Sequence, residues 1–279
     1  AILMNINLMV GASAFMAPEI MTAYAGPASF YGWLLAGALF LPVVWCVAQM
    51  TAYFPGQGSF YSYASKTISR EAGFISGWVY FLGYVSIGAL QLMSLTRILA
   101  HHFNIPILSS HPALCGSMLV VLLGALSLRP LGVIDRIQSM ATLYKLTPLL
   151  IGITSLLFFF SPSKTAAITS LSPATLIPTI PMAIFGFWGF EGVCSISHLI
   201  KDSARNARRA IFLGFFSTVL IYALFHLSLL AVMGAEALQT QGAVSFVAYM
   251  GLTNSTLIAL LKAIVTSAIV IAHVNAIFG

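Results

Sequence analysis

Charged residues are scarce in this sequence. Asp, Glu, Lys and Arg together make up 6% of its 279 residues, whereas hydrophobic residues make up 59%. A soluble domain carries about 25% charged residues, because its surface must face water. The shortage therefore excludes an ordinary soluble protein and predicts an all-α polytopic membrane protein whose apolar surface faces the lipid bilayer.

Patterns that would indicate other functions are also missing. There is no phosphate-binding loop, which argues against an ATP-driven pump, and no nucleophile–base constellation, which argues against an enzyme. The three cysteines form no pattern, and His198, His226 and His273 lie singly in predicted helices, where a neighbouring side chain would satisfy them. The basic residues form no patch interleaved with aromatics. We expect no cofactor, no metal and no nucleic-acid partner.

Apolar runs, by contrast, are long enough to cross a bilayer eight times. A spanning helix needs about 20 mostly apolar residues. The predicted spans are residues 2–24, 31–53, 72–100, 112–128, 137–160, 176–199, 210–233 and 253–279. Because the sequence begins and ends inside apolar runs, we expect it to be part of a longer protein.

The basic residues predict the orientation of these spans. Lys and Arg are enriched in cytoplasmic loops. If the first residue is cytoplasmic, eight basic residues lie in inner loops and only Arg97 and Lys164 lie outside. The eight are Lys66, Arg70, Arg129, Arg136, Lys201, Arg205, Arg208 and Arg209. The chain is therefore expected to begin on the cytoplasmic side.

The first and sixth spans share small residues at their centres. Residues 11–14 read Gly-Ala-Ser-Ala, and Gly186 and Gly189 interrupt the sixth span shortly before Glu191. Paired interruptions five helices apart indicate inverted five-helix repeats with a site at the membrane midplane. Unwound backbone there frees N–H groups for a carboxylate and C=O groups for an ammonium group. The alternative is that the glycines only permit close packing of helices.

Four motifs resemble those of the amino acid–polyamine–organocation transporter superfamily. Residues 11–18 (Gly-Ala-Ser-Ala-Phe-Met-Ala-Pro) resemble its first-helix G-S-G-[IV]-F-x-x-P motif, although the serine stands one position later. Residues 54–63 are similar to its loop P-x-x-G-[GS]-x-Y-x-Y. Residues 186–191 and 201–206 resemble its G-[FV]-E motif and the K-[ND]-P-x-[RK]-N loop that follows, without the proline.

The resemblance implies the leucine-transporter fold, with discontinuous helices one and six and about twelve helices in all. Residues 1–160 would form the first inverted repeat and residues 176–279 part of the second, within one transporter domain. It also implies secondary active transport of amino acids or their amines across the inner membrane by alternating access, coupled to protons or a counter-substrate. A homodimer is compatible with it. A non-transporting amino acid sensor and a channel remain as alternatives.

By the same resemblance, one set of residues would bind substrate and another would couple its movement. The expected substrate-binding residues are Gly11, Ala12, Ser13, Ala14, Gly88, Gln91, Phe185, Gly186, Phe187 and Trp188. Glu191 is the expected coupling carboxyl, since a charge at that depth costs about 2.5–3.5 kcal/mol and suggests a function. Lys145 is the second coupling candidate. The alternatives are core packing for the aromatics, a helix-bridging carboxyl for Glu191, snorkelling for Lys145 and an interhelical hydrogen bond for Gln91.

Overall fold

Helices dominate this chain because lipid offers no hydrogen-bond partner to a backbone group, so each span must satisfy its own. The computed structural model describes residues 1–54, 60–102, 105–129, 131–160 and 172–278. Within these ranges every regular element is helical, which confirms the predicted all-α polytopic membrane fold. Residues 55–59 of the loop motif, and Lys164, lie outside the described ranges.

Fourteen α-helices make up the described chain. In order they are α1 Ile2–Met9, α2 Ser13–Ala25, α3 Tyr31–Tyr53, α4 Phe60–Thr67, α5 Arg70–His102, α6 Pro106–Ser110, α7 Pro112–Ser127, α8 Leu131–Phe159, α9 Pro173–Leu176, α10 Ile180–Gly186, α11 Gly192–Ser195, α12 Ser203–Met233, α13 Ala235–Gln241 and α14 Ser255–Phe278. Short 3-10 turns connect several of them, among them Gly26–Ala28 after α2 and Ala243–Tyr249 after α13.

Each of the eight predicted spans corresponds to helical structure, although not always to one helix. Five helices, α3, α5, α8, α12 and α14, are long and apolar enough to cross a membrane, and the bent pair α1 and α2 can form a sixth span. The fourth predicted span is the shorter α7, and the sixth is divided between Pro173–Gly186 and α11. The fifth predicted span corresponds to α8, which begins at Leu131, earlier than the predicted start at residue 137.

The helix α12 lies at the centre of the bundle. About two-thirds of its apolar window (67%) is buried, against 6% for α5, so α12 forms the core and most of α5 faces outward. The helix packs against α1, α3 and α8. Large apolar side chains such as Phe74, Trp78 and Phe81 project from α5, as expected of a surface in contact with lipid. The chain is thus a multi-pass membrane protein.

Helices one and six, which the sequence predicts to be interrupted, are both broken in the structure. They stand five spans apart in the chain, as the predicted inverted repeats require. That the two halves are related as repeats stays a prediction.

Candidate functional site

Helix one breaks between α1 and α2. The two segments meet at an angle of 51°, and Val10, Gly11 and Ala12 lie outside both of them. A break leaves carbonyl groups without their partners one turn later. Two of these groups are satisfied from other helices: the Asn7 carbonyl accepts from Lys145 Nζ at 2.6 Å, and the Met9 carbonyl accepts from the Tyr222 hydroxyl at 2.8 Å.

Helix six breaks between α10 and α11, and its two glycines serve different purposes. Gly189 has φ +100°, which L side chains rarely adopt, and a Cβ there would lie 2.7 Å from the Leu8 carbonyl oxygen. A Cβ on Gly186 would instead lie 2.6 Å from the Trp33 ring. Gly186 therefore permits close packing, whereas Gly189 supplies both the backbone turn and the approach of helix six to helix one.

A cavity of about 340 Å³ lies between the two breaks, α5 and the end of α14. Its wall combines backbone at the breaks with uncharged polar side chains. These are Asn7, Ser13, Tyr80, Tyr84, Gln91, Ser195 and Asn275. Among the described residues that line it, none is Asp, Glu, Lys or Arg. The described wall therefore offers uncharged hydrogen-bonding groups and backbone groups to a ligand.

The structure brings six of the ten expected substrate-binding residues to this cavity. They are Gly11, Ser13, Gly88, Gln91, Phe185 and Trp188. Ala12, Ala14, Gly186 and Phe187 are not among the described residues that line it. The two alanines are buried, Gly186 faces the Trp33 ring, and Phe187 packs against the rings of Trp33 and Phe215. That any of the ten binds substrate stays a prediction.

Gln91 projects from the middle of α5 and is 5% exposed. Its Oε1 is buried and has no hydrogen-bond partner in the described part of the chain. An interhelical hydrogen bond by Gln91 would therefore have to use its Nε2, so that alternative stays open.

Glu191 lies directly behind the cavity wall and is 5% exposed. Its Oε1 accepts hydrogen bonds from the Tyr84 hydroxyl at 2.6 Å and the Tyr80 hydroxyl at 3.1 Å. Both tyrosines also line the cavity, so they connect it to the carboxyl group. Sequence reasoning missed this pair, although a spacing of four residues places both on one face of a helix.

Lys145 lies in the interior rather than at the membrane interface, with 0% exposure. Besides its bond to the Asn7 carbonyl, it lies beside a polar cluster that joins α1, α8 and α14. In that cluster Asn275 Nδ2 donates to Asn7 Oδ1 at 2.9 Å, and Asn7 Nδ2 donates to Gln138 Oε1 at 3.4 Å. The structure does not support snorkelling, and the coupling role of Lys145 stays a prediction.

Comparison with known proteins agrees with this architecture. The family model described as "Amino acid permease" matches residues 1–279. The methylthioribose transporter of Bacillus subtilis is 24% identical over 259 residues, which is 88% of this chain and 56% of that protein. The serine/threonine exchanger of the same organism is 25% identical over 260 residues, 87% of this chain and 56% of that protein.

Another relative has a higher sequence identity, but over a shorter stretch of the chain. The gamma-aminobutyric acid permease of Escherichia coli is 36% identical over 89 residues, 32% of this chain and 19% of that protein. The chain spans little more than half the length of the two Bacillus relatives that it matches along most of its own length. The match of the family model over the whole chain shows that it belongs to the amino acid permeases of the amino acid–polyamine–organocation superfamily.

Proposed function

We propose that the complete protein is a secondary active transporter, which carries amino acids or their amine derivatives across the cytoplasmic membrane by alternating access. The observation that carries this proposal is the cavity between two broken helices. Gly11 and Ser13 line it at the start of α2, where backbone N–H groups and the helix dipole favour a carboxylate. Phe185 and Trp188 line it where helix six breaks, and carbonyl groups freed there suit an ammonium group.

Four residues of the cavity wall are exposed, namely Met4, Tyr84, Trp188 and Ser195. Of these, Met4 and Ser195 belong to the cytoplasmic side if the chain begins inside the cell. Toward the other side the helices are closed by buried contacts. Thr22 is fully buried, and Ser94 and His273 Nε2 are hydrogen-bonded at 2.9 Å.

The wall of the cavity favours an amino acid with an uncharged side chain. A charged side chain would need a partner of opposite sign once desolvated, and the described wall has none. Of the relatives, one is named as a serine/threonine exchanger and another as a permease for gamma-aminobutyric acid, which is also a zwitterion. We propose a zwitterion with a small neutral side chain as the substrate class.

Countertransport in proteoliposomes tests the function. We expect external labelled substrate to accumulate in liposomes that are preloaded with the same unlabelled amino acid, with saturation and without a proton gradient. Neutral amino acids should compete at least about tenfold more strongly than lysine or glutamate, because each kcal/mol of desolvation shifts affinity about fivefold. Binding without flux would favour a sensor, and unsaturable conductance would favour a channel.

We further propose that Glu191 couples proton movement to transport, with Tyr80 and Tyr84 between it and the substrate. A ligand that contacts either tyrosine would change the hydrogen bonds donated to the carboxyl group and so its affinity for a proton. The ionisable side chains around Glu191 in the described part of the chain are Tyr80 and Tyr84 of α5, Tyr63 of α4 and Cys194 of α11. None of them is a cation.

Replacing Glu191 with Gln is expected to flatten the pH profile of uptake while leaving exchange at equal pH within about twofold of the wild type. The Gln Oε1 can still accept from both tyrosines, so the fold and the cavity are kept. Initial rates of uptake between pH 5 and 8 measure the effect, and Glu19→Gln, at an exposed carboxyl of α2, is the control. A Glu191→Gln profile that matches the wild type would exclude the coupling role.

A further inference from the structure

A second polar cluster lies inside the bundle, outside the cavity wall. It consists of Thr22, Ser29, Trp33 and His226, and we call it the His226 cluster. Each of these side chains is 0% exposed. They come from α2, the turn before α3, α3 itself and α12, so the cluster joins helices one, two and seven. The proposed binding and coupling steps use none of them.

The hydrogen bonds of this cluster have one consistent direction. The indole N–H of Trp33 can only donate, and it donates to His226 Nδ1 at 3.1 Å. His226 must therefore carry its proton on Nε2, a tautomer assigned from the network. From Nε2 it donates to Ser29 Oγ at 3.0 Å or Thr22 Oγ1 at 2.9 Å. Thr22 uses its own proton on the Pro18 carbonyl, at 2.6 Å.

The same network fixes the orientation of Trp33 against both breaks. On one side the indole ring fills the space beside Gly186, where helix six ends its first half. On another side it packs against the Tyr222 ring, with the centroids 4.7 Å apart. Because the His226 bond holds the edge of the indole, it restricts rotation of the ring within this space.

Tyr222 carries the connection on to helix one. It lies one turn before His226 on α12, and its hydroxyl donates to the Met9 carbonyl at the break. It also lies 3.4 Å from Ser13 Oγ, which lines the cavity. A continuous set of contacts thus leads from His226 through Trp33 and Tyr222 to the backbone of both breaks.

We propose that His226 is a positioning residue for substrate binding, which acts through Trp33 and Tyr222 and touches no substrate itself. The proposal rests on the proposed function, because it takes the cavity between the breaks as the substrate site. Its consequence is specific. Loss of the network should weaken substrate affinity by loosening the two breaks, with little change in the maximum rate of exchange.

The test compares two substitutions of His226. Leucine removes both hydrogen bonds and leaves the Trp33 N–H without a partner, whereas the amide of Gln can accept from Trp33 and donate to Ser29. We expect His226→Leu to raise the dissociation constant and the KM for exchange about 5- to 20-fold. His226→Gln should recover most of that loss. The maximum rate should stay within about twofold of the wild type for both.

Three measurements separate positioning from loss of stability. The thermal midpoint of unfolding in detergent reports the stability of the fold. The control for it is Leu238→Ala, at a fully buried residue of α13, which is expected to lower that midpoint without changing substrate affinity. The indole N–H resonance of Trp33, assigned with Trp33→Phe, reports the hydrogen bond directly. Should His226→Leu fail to fold, Trp33→Phe removes the donor of the same hydrogen bond, and the affinity of that variant for substrate should fall by a similar factor.

The outcomes are distinguishable. A His226→Leu protein with a shifted Trp33 resonance and wild-type affinity would overturn the positioning role. Equal losses of substrate affinity in His226→Leu and Leu238→Ala would overturn it as well. Failure of the wild type to bind or exchange any amino acid would instead overturn the proposed function, and the positioning role with it. In that case the Trp33 resonance would still show whether the cluster exists.

Discussion

Replacing Gly189 with Ala is expected to abolish exchange and to lower the stability of the protein strongly. At φ +100° an L side chain is strained, which costs about 1–3 kcal/mol by itself. The new Cβ would in addition lie 2.7 Å from the Leu8 carbonyl oxygen, and backbone cannot rotate away as a side chain can. Relief would require α1 and helix six to separate, and the cavity lies between them.

Two other glycines provide matched controls for this substitution. In the described part of the chain, a Cβ added at Gly88 or Gly124 would meet no atom within 4 Å outside its own stretch of helix, so alanine fits at both. Gly124→Ala should fold at least as well as the wild type, because alanine favours a helix by about 1 kcal/mol. Gly88→Ala adds one methyl group to the cavity wall and reports that effect alone. The thermal midpoint and the exchange rate measure all three, and near-wild-type values for Gly189→Ala would contradict the proposed contact between the breaks.

The contrast between the two glycines of helix six shows what the sequence could predict. Their position in an apolar run predicted that helix six is interrupted, and the structure confirms the interruption. The sequence could not assign their separate roles, because these depend on neighbours far along the chain. Gly186 meets Trp33, and Gly189 meets Leu8, and neither partner is marked by a local pattern.

The same limit explains which expected site residues reach the cavity. Gly11 and Ser13 line it while Ala12 and Ala14 are buried in the protein, since successive residues at a turn of the backbone face different sides. A four-residue motif marks the place of the break but not which of its residues face the ligand. Phe187 likewise belongs to the aromatic core, because three rings from two other helices, α3 and α12, surround it.

The polar partners inside the bundle were the least predictable feature. Single polar residues in apolar helices indicate that a partner exists, as was expected for His226, but not which residue it is. Trp33 and His226 are separated by 193 positions, and Met9 and Tyr222 by 213. Such pairs arise only when helices one, two and seven pack together.

Replacing Lys145 with Met is expected to reduce exchange at least tenfold while the protein still folds. The Lys145 Nζ lies at the C-terminal end of α1, where it donates a hydrogen bond to the Asn7 carbonyl at 2.6 Å. Methionine keeps most of the buried volume but leaves that carbonyl without a donor, which costs about 1–3 kcal/mol. Removal of a buried polar group offsets part of this cost. Lys145→Met should therefore change the position of α1 more than it lowers the free energy of unfolding of the whole protein.

A lysine of α14 supplies the control. A second substitution of Lys145 separates the effect of the lost hydrogen-bond donor from that of the lost side-chain volume. Lys262 is exposed, so Lys262→Met should leave exchange within about twofold of the wild type. Lys145→Ala should destabilise the protein further than Lys145→Met, by about 2–4 kcal/mol in all, because it adds a cavity to the lost hydrogen bond. If the proposed coupling role is correct, Lys145→Met also reduces proton-driven uptake more than exchange at equal pH. If Lys145→Met exchanges substrate at the wild-type rate, α1 keeps its position without the lysine. If proton-driven uptake and exchange fall by the same factor, Lys145 shapes the binding site and does not couple transport to protons.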